Sequence, residues 1–285
     1  MPAWKITTLQ EVEDLVRGVT FFGTGGGGDP DKGLKFLSDT IKEIGSVELV
    51  DVLDLPDDAT VCSCFYMGSI APHSEETRKK MRERGMTEPA IDKVLPETIK
   101  ALERYIGKKI DAIVPVELGG INTPAPIDAA ARLGKKVVDG DYAGRAVPEM
   151  VQTTPSITNQ ISYPMASVDE WGNVVFIDKT RNHQCSEALG KAISTVAFGL
   201  VGQTSWLLSA KKAKELVIRG TITESMKVGR VIREVREKGE DPVQAAAETV
   251  NGWVLFKGTV TSKETDDREG YNFVDILIIN QPVLF

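Results

Sequence analysis

The sequence has little of what secreted, membrane and nucleic-acid-binding proteins need. Its 285 residues include three cysteines and two histidines, and an odd, small number of cysteines does not make a disulfide framework. No apolar run reaches membrane-spanning length, and the N-terminal segment lacks the pattern of a secretory signal. The net charge of −7 comes without a basic stripe for phosphate backbones. We therefore expect a cytoplasmic protein with no membrane or nucleic-acid partner.

What is present describes a globular chain with a sizeable core. Hydrophobic residues make up 41% of the chain and charged residues 26%, and no repeat period stands out. Fibrous, disordered and solenoid classes are therefore excluded. The length suits one large domain or two ordinary ones.

The first half of the chain alternates between helix and strand patterns. Thr8 and Glu11 form a capping box, which predicts a first helix. Apolar residues at helical spacing follow the glycine-rich segment 23–30 and end at Gly45, so the glycine loop opens a second helix. Strands are predicted over 47–53, 59–67, 110–116 and 136–139, and helices over 89–106 and 124–133. This order predicts an α/β N-terminal domain with a mostly parallel sheet, over residues 1–165.

The second half has a different character and predicts a smaller α+β C-terminal domain over residues 166–285. Its first helix, over 186–201, is expected to bury Leu189, Ile193, Val196 and Leu200 on one face. Further helices are predicted over 207–219, over 223–238 and after Asp241-Pro242, and strands over 252–260 and 271–279, with a charged turn over 263–269 between the two strands.

Polar residues gather where two strands of one predicted βαβ unit end. Glu117 follows the strand 110–116, and Asp139 ends the next strand, so both lie at the ligand-binding edge of a parallel sheet. Carboxylates there can bind a divalent cation, act as general acid or base, or pair with a cation and cap loops. The candidate catalytic residues are Glu117, Asp139, Asp141, Arg145 and Glu149.

The glycine-rich loop is the second candidate feature. Gly25, Gly26, Gly27 and Gly28, followed by Asp29, offer backbone N–H groups at a helix N-terminus, which suits an anion or a partial negative charge. The loop matches neither a P-loop nor a dinucleotide fingerprint. A tight, closely packed turn is the alternative interpretation.

Soft metal ligands and nucleophiles have less support. Cys62 and Cys64 share one side of a predicted buried strand, where ordinary packing is the favoured interpretation. No zinc site is complete, and no GxSxG elbow supports a serine nucleophile. The charged run between Arg78 and Arg84 is typical of a solvated helix face.

Three segments follow one another along the chain: Gly23-Thr-Gly-Gly-Gly-Gly-Asp-Pro30, Glu117-Leu-Gly-Gly-Ile-Asn122 and Val138-Asp-Gly-Asp-Tyr-Ala-Gly-Arg-Ala-Val-Pro-Glu149. In this order they resemble the S-methyl-thiohydantoin desulfurase family, also called DUF917. The segment 256–260 resembles the strand that leads into the family's β-rich C-terminal part. Family members continue further, so we expect a shortened second domain after Asn280.

The resemblance implies an α/β domain followed by a swivelling-type α+β domain, and cleavage of a C–S bond on a thiohydantoin ring; other members are associated with hydantoinases and oxoprolinases. We therefore expect a hydrolase or lyase of a hydantoin-like cyclic amide or thioamide. Glu117, Asp139 and Asp141 would hold a metal ion or water, and Arg145 would bind a substrate oxygen. The expected substrate-binding residues are Gly25, Gly26, Gly27, Gly28, Asp29, Gly119, Gly120 and Asn122.

Several expectations stay open at this level. A divalent metal ion is compatible with the clustered acids, and no organic cofactor is expected. The apolar C-terminal strands predict a homo-oligomer. The alternative functions are a noncatalytic ligand-binding or regulatory subunit and a phosphate- or nucleotide-binding enzyme that uses the glycine loop.

Overall fold

The structure, a computed structural model, describes residues 4–68, 73–268 and 271–279. The strands are β1 (Trp4–Ile6), β2 (Val47–Val50), β3 (Thr60–Met67), β4 (Ala112–Ile113), β5 (Lys136–Val138), β6 (Gly140–Asp141), β7 (Met165–Asp169), β8 (Val174–Ile177), β9 (Val201–Ser209), β10 (Ile218–Arg219), β11 (Thr259–Arg268) and β12 (Tyr271–Ile279). The helices are α1 (Leu9–Gly23), α2 (Pro30–Ile44), α3 (Glu75–Glu83), α4 (Val94–Ile106), α5 (Pro124–Arg132), α6 (Thr154–Ile157), α7 (His183–Val196), α8 (Ala210–Leu216), α9 (Thr221–Glu237) and α10 (Pro242–Thr249).

One large sheet carries the fold, with the strand order β1-β2-β5-β4-β3-β9-β7-β8. The four central strands β2, β5, β4 and β3 are parallel. Antiparallel pairs flank them on both sides, through β1 at one edge and through β9, β7 and β8 at the other. The predicted α/β fold with a mostly parallel central sheet and a smaller C-terminal part is confirmed.

The central strands of the sheet are buried on both faces because helices pack against each face. Cys62 and Cys64 lie in the core cluster shared with α1, α2, α4 and α5, whereas Val61 packs on the opposite side with α8. Both thiols are free and buried, and burial raises the pKa of each thiol. The two cysteines therefore serve packing, as the strand pattern predicts.

The first two helices begin as the sequence predicts. The Thr8 hydroxyl accepts a hydrogen bond from the N–H of Glu11 at 3.2 Å, and Glu11 Oε2 accepts from the N–H of Thr8 at 3.0 Å, which completes the capping box. Asp29 caps α2 by accepting from the N–H of Asp31 at 2.9 Å. The glycine loop therefore opens a helix.

The two halves of the chain share one core. Beyond residue 165, β7 and β9 extend the sheet next to β3, and α9 packs against α1. The helices approach so closely that a Cβ at Gly18 would lie 1.7 Å from the carbonyl oxygen of Ser225, and one at Gly229 would lie 1.7 Å from that of Asp14. The boundary predicted near residue 165 is therefore crossed by the main sheet.

Several predicted elements need correction, among them the strand predicted over 252–260, which begins only at Thr259. The helix predicted over 207–219 is the end of β9 followed by the shorter α8, because pairing with β3 holds β9 extended as far as Ser209. The helix predicted from 89 begins at Val94. The charged segment expected as a turn over 263–269 is a strand as far as Arg268, because β11 pairs with β12 along its length.

Helix α7 buries a different face from the predicted one. Leu189 is 46% exposed and Val196 is 64% exposed, whereas Ser186, Gly190 and Ser194 are buried. Small residues at this spacing let the helix approach the sheet, since a Cβ at Gly190 would lie 2.6 Å from Met67 Sδ. The close approach therefore overrides the apolar periodicity.

Within the described part of the chain, none of the helices combines the length and the apolar character that a bilayer-spanning segment needs.

Candidate functional site

A cavity of about 690 Å³ opens at the carboxyl ends of the central strands. Its walls come from the glycine loop before α2, the end of β3, the segment after β4, the loop after β5, helix α7 and the strand β12. The polar and charged residues in these walls are Thr24, Tyr66, Glu117, Asn122, Arg145, Glu149, Glu187 and Lys191. This is the edge at which parallel α/β sheets bind ligands.

The glycine loop forms one wall of the cavity. Gly25, Gly27 and Gly28 have φ values of +96°, +73° and +86°, a conformation that favours glycine. The prediction that this loop contains a residue with positive φ is confirmed. The loop lines the cleft that contains Glu117, but Asp139, which was predicted to share that cleft, does not line it. Among the described residues, the N–H groups of Gly25, Gly27 and Gly28 have no hydrogen-bond partner, so they are available as donors.

A second glycine pair holds this loop in place. The Gly27 carbonyl accepts hydrogen bonds from the N–H groups of Ile121 at 2.8 Å and Asn122 at 3.0 Å. A Cβ at Gly119 would lie 2.3 Å from the Gly27 Cα, and one at Gly120 would lie 2.6 Å from the Gly28 oxygen. Gly119 and Gly120 are therefore needed for close packing of the two loops, and the structure places them behind the cavity wall.

Of the residues expected to bind substrate, Gly25, Gly26, Gly27, Gly28 and Asn122 line the cavity. Asp29 instead caps α2. Its carboxylate holds the start of the helix, one residue beyond the wall.

Asn122 is fixed by the backbone of β3. Its Oδ1 accepts from the N–H of Tyr66 at 2.8 Å, and its Nδ2 donates to the Tyr66 carbonyl at 3.1 Å. The N–H of Tyr66 can only donate, so it settles which end of the amide carries the oxygen. The Nδ2 group also donates to Glu117 Oε1 at 2.8 Å. Asn122 therefore orients the carboxylate of Glu117.

Glu117 is a buried carboxyl group in the cavity wall, with only 4% of its surface exposed. Its Oε2 accepts from the N–H of Val147 at 2.6 Å, so both oxygens accept a hydrogen bond. Burial raises the pKa of Glu117 to about 7, with a smaller contribution from the charge of Asp141, and the two hydrogen bonds oppose the rise. Such a carboxyl group can take up and release a proton near neutral pH.

Arg145 and Glu149 also line the cavity. Arg145 is exposed and donates from Nη1 to the carbonyl of Ala146 at 2.8 Å. Its backbone carbonyl accepts from the N–H of Leu118 at 3.3 Å, which ties the loop after β5 to the segment after β4. An exposed cation and a half-buried second carboxylate therefore line the cavity.

Asp139 does not join this group, and the predicted convergence on one cleft is wrong for it. Its carboxylate accepts from the N–H of Thr223 at 3.0 Å and from the Thr223 hydroxyl. Both donors belong to the first turn of α9, where a negative charge is stabilised. Asp139 therefore connects the end of β5 to a helix of the second half.

Asp141 is likewise outside the cavity lining, which corrects the same prediction. It is fully buried and accepts from the N–H groups of Ala143 at 2.9 Å and Gly144 at 2.7 Å and from the Thr221 hydroxyl at 2.7 Å. Burial raises its pKa to about 6 against the effect of these bonds. The N–H groups of Ala143 and Gly144 close a tight turn that leads to Arg145, and the Thr221 hydroxyl ties this turn to α9.

Sequence reasoning missed two charged residues of the cavity wall, Glu187 and Lys191. Both lie on α7, four residues apart and so on one side of the helix. The buried small residues Ser186, Gly190 and Ser194 mark the side that faces the sheet, and this spacing was the available signal.

The described residues contain no group of three or more histidine, cysteine, aspartate or glutamate side chains that could hold a metal ion. Asp139 and Asp141 are held by donors from α9 and its loop, so they do not meet Glu117 as ligands of one ion. The described residues therefore do not form the three-carboxylate site for a divalent ion that the sequence suggested.

Two family models together match nearly the whole sequence. The S-Me-THD-like N-terminal domain matches residues 10–179, and the S-Me-THD-like C-terminal domain matches residues 180–282. The chain belongs to the S-Me-THD-like family. The models divide it in the segment between β8 and α7, within the region where both halves build the large sheet.

The fold also resembles a crystal structure of a protein from Chromobacterium violaceum. The two share 22% sequence identity with a TM-score of 0.75, over 95% of this chain and 74% of the other. At this identity the likeness supports the fold alone. A comparison with curated proteins found no match.

Proposed function

We propose that this chain is a hydrolase or lyase of a hydantoin-like or thiohydantoin-like ring, and that Glu117 is its general base. The observation that carries the proposal is a buried carboxyl group with a pKa of about 7 in a glycine-walled cavity. Membership of the S-Me-THD-like family supports the ring class.

The hydrogen bonds of Glu117 suit a base. Each oxygen already accepts one N–H, from Asn122 or from Val147, and donors of this kind stabilise the ionised form. The desolvated carboxylate keeps lone pairs for a water molecule in the cavity. A base whose pKa lies near the working pH is efficient because enough of it is ionised while it still binds a proton well.

The rest of the wall suits a ring with carbonyl oxygens and ring nitrogens. The free N–H groups of Gly25, Gly27 and Gly28 are preorganised donors for charge that develops on such atoms. Arg145 supplies a planar cation for a carbonyl oxygen. These groups are held by the loop contacts before substrate arrives, so little reorganisation is needed during the reaction.

The proposed step is hydrolysis of an S-methyl-thiohydantoin. Water attacks the ring carbon that bears sulfur, and Glu117 takes one water proton while the electron pair of the C=N bond moves to nitrogen. The C=N bond then re-forms and the C–S bond breaks, with its electron pair leaving on sulfur. Protonation of sulfur gives methanethiol, and the ring keeps the water oxygen as a carbonyl after proton transfer to nitrogen.

The test is a substrate panel with the purified full chain: S-methyl-thiohydantoin, hydantoin and 5-oxoproline. We expect methanethiol and hydantoin from the first, measured with a thiol reagent and by mass spectrometry. Turnover of none of the three would reject the proposal. A thermal shift with nucleotides and none with thiohydantoins would favour the nucleotide-binding alternative.

We also propose that the protein forms a homo-oligomer. The C-terminal hairpin β11–β12 and the segment before it expose large apolar side chains: Trp253, Leu255, Phe256, Phe273, Leu277 and Ile279. Apolar surface of this kind is stabilised by burial against another chain. Light scattering at micromolar concentration should give a multiple of the 31.0 kDa chain mass, and a monomer would reject the proposal.

A further inference from the structure

A second carboxyl group stands in the wall of the same cavity, on helix α7. Glu187 is 5% exposed. Its Oε2 accepts from the N–H of Met150 at 2.8 Å. Its Oε1 is buried, and no hydrogen-bond partner for it exists among the residues that the structure describes. An unpartnered oxygen of this kind is uncommon in a protein interior and calls for a physical explanation.

The hydrogen-bond pattern distinguishes Glu187 from Glu117. Both oxygens of Glu117 accept an N–H, which is the pattern of an ionised carboxylate. In Glu187 one oxygen accepts, and no described residue donates to the other. If Glu187 were ionised, that oxygen would carry buried charge without a donor, which is costly. If Glu187 is protonated on Oε1, that oxygen has an O–H group to donate.

The charges around Glu187 also affect its protonation state. Burial raises its pKa most, and the negative charge of Glu149 adds to the rise. The N–H of Met150 and the positive charge of Lys191 oppose the rise, and the net effect is upward. The ammonium of Lys191 also favours the ionised form of Glu117. The positive charge of Lys191 thus acts on both Glu117 and Glu187.

One segment of chain links the two acids. The N–H of Val147 binds Glu117 and the N–H of Met150, three residues later, binds Glu187. The loop after β5 therefore donates hydrogen bonds to two carboxyl groups, that of Glu117 in the segment after β4 and that of Glu187 on α7. Two carboxyl groups in different hydrogen-bond settings can divide the acid and base roles of one reaction.

Building on the function proposed above, we propose that Glu187 is the general acid, which donates the proton on Oε1 to the leaving sulfur. As the C–S bond breaks, its electron pair goes to sulfur, and the Glu187 proton joins it to give the free thiol. Glu187 is left as a carboxylate beside Lys191. Exchange with solvent then removes the water proton from Glu117 and returns a proton to Glu187, so the cycle balances.

The test compares two substrates that differ in the acidity of the leaving thiol, an S-methyl- and an S-(4-nitrophenyl)-thiohydantoin. Glu187→Gln keeps an oxygen for the N–H of Met150 but has no transferable proton. We expect it to lose a factor of about 10² to 10⁴ in kcat on the S-methyl substrate. On the nitrophenyl substrate, whose thiolate leaves without help, we expect a loss of less than about tenfold. Glu76→Gln, on the exposed face of α3, is the matched control and should change neither rate.

An equal loss on both substrates would overturn the acid role. The wild-type protein gives an independent check should the variant fail to fold. Its rate on the S-methyl substrate should fall at high pH as Glu187 ionises, and the rate on the nitrophenyl substrate should not. The same alkaline decline on both substrates would again count against a general acid.

A third measurement needs no turnover and separates this inference from the proposed function. Infrared difference spectra between the wild type and Glu187→Gln at pH 7 should show the C=O band of a protonated carboxyl group. A carboxylate band in its place overturns the inference, whatever the enzyme turns over. If no ring substrate reacts, the proposed reaction is rejected, and the general-acid role of Glu187 is rejected with it. A protonated band in that case would still show that Glu187 is a neutral hydrogen-bond donor at pH 7.

Discussion

Glu117 and Asp141 are buried acids that follow neighbouring parallel strands, yet they are held in opposite ways. Burial raises the pKa of both, to about 7 for Glu117 and about 6 for Asp141. Glu117 lines the cavity and has two N–H partners. Asp141 has three donors, one of them from the α9 region of the second half, and lies outside the wall. A perturbed pKa therefore does not by itself identify a functional group.

What separates the two acids is the element that covers each strand end. After β4 the chain turns into the glycine segment that docks on the loop before α2 and leaves a cavity beside Glu117. After β5 the short strand β6 pairs with β10, and the start of α9 supplies donors to Asp139 and Asp141. Both acids lie at the carboxyl ends of strands. Whether a ligand can reach them depends on which distant part of the chain packs over each strand end.

The sharpest test of the comparison is activity in a matched pair of isosteric variants. Glu117→Gln should lower kcat/KM by a factor of about 10² to 10⁴, because the amide cannot accept the water proton. Asp141→Asn, assayed per folded molecule, should stay within about threefold of wild type. Steady-state kinetics on preparations checked by circular dichroism give both values.

A larger loss of kcat/KM in Asp141→Asn than in Glu117→Gln would contradict the assignment of Glu117 to the active site. A wild-type rate from folded Glu117→Gln would remove this residue from the mechanism. A large loss in folded Asp141→Asn would return Asp141 to the catalytic group that the sequence predicted.

For the free energy of unfolding we expect the opposite order, with Asp141 more important than Glu117. Asp141→Ala leaves the N–H groups of Ala143 and Gly144 and the Thr221 hydroxyl without their acceptor. We expect a loss of about 3 kcal/mol in the free energy of unfolding. Urea unfolding measures it, with Asp58→Ala on the exposed surface as the control. A loss below about 1 kcal/mol would mean that these contacts contribute little.

The pH dependence of stability gives a third comparison. The folded pKa of Asp141, about 6, lies above its ordinary value of 3.8, so the folded state binds more protons between these values. Stability from this group is complete below pH 4 and is lost as the pH rises through about 6. The difference in unfolding free energy between wild type and Asp141→Asn should therefore fall, by up to about 3 kcal/mol, from pH 4 to pH 7. A difference that is constant over this range would contradict the raised pKa.

The sequence predicted much of the site because local signals determine it. The capping box at Thr8, the helix opened by Asp29 and the strand that ends before Glu117 all depend on short-range pattern, and the structure has them. Four consecutive glycines also indicated a loop with positive φ at the cleft.

The remainder depends on contacts between distant parts of the chain. Neither the partners of Asp139 and Asp141 on α9, some eighty residues away, nor the placing of Glu187 in the wall is visible in a local pattern. For α7 the apolar periodicity pointed to the wrong face, because a close approach at Gly190 requires small residues. Sequence reasoning therefore fails to predict side chains that a distant helix or strand contributes to the site.

The smallest expected effect compares two glycines with the same backbone strain. Gly25 and Gly45 have φ values of +96° and +91°, and a Cβ at either would meet no atom within 4 Å. Alanine at either position should cost about 1 kcal/mol of stability, because a side chain is strained at positive φ. Only Gly25 lines the cavity, so only Gly25→Ala should also raise KM, by a few-fold, since its methyl group narrows the wall. Equal KM values for the two variants would show that this part of the loop does not contact substrate.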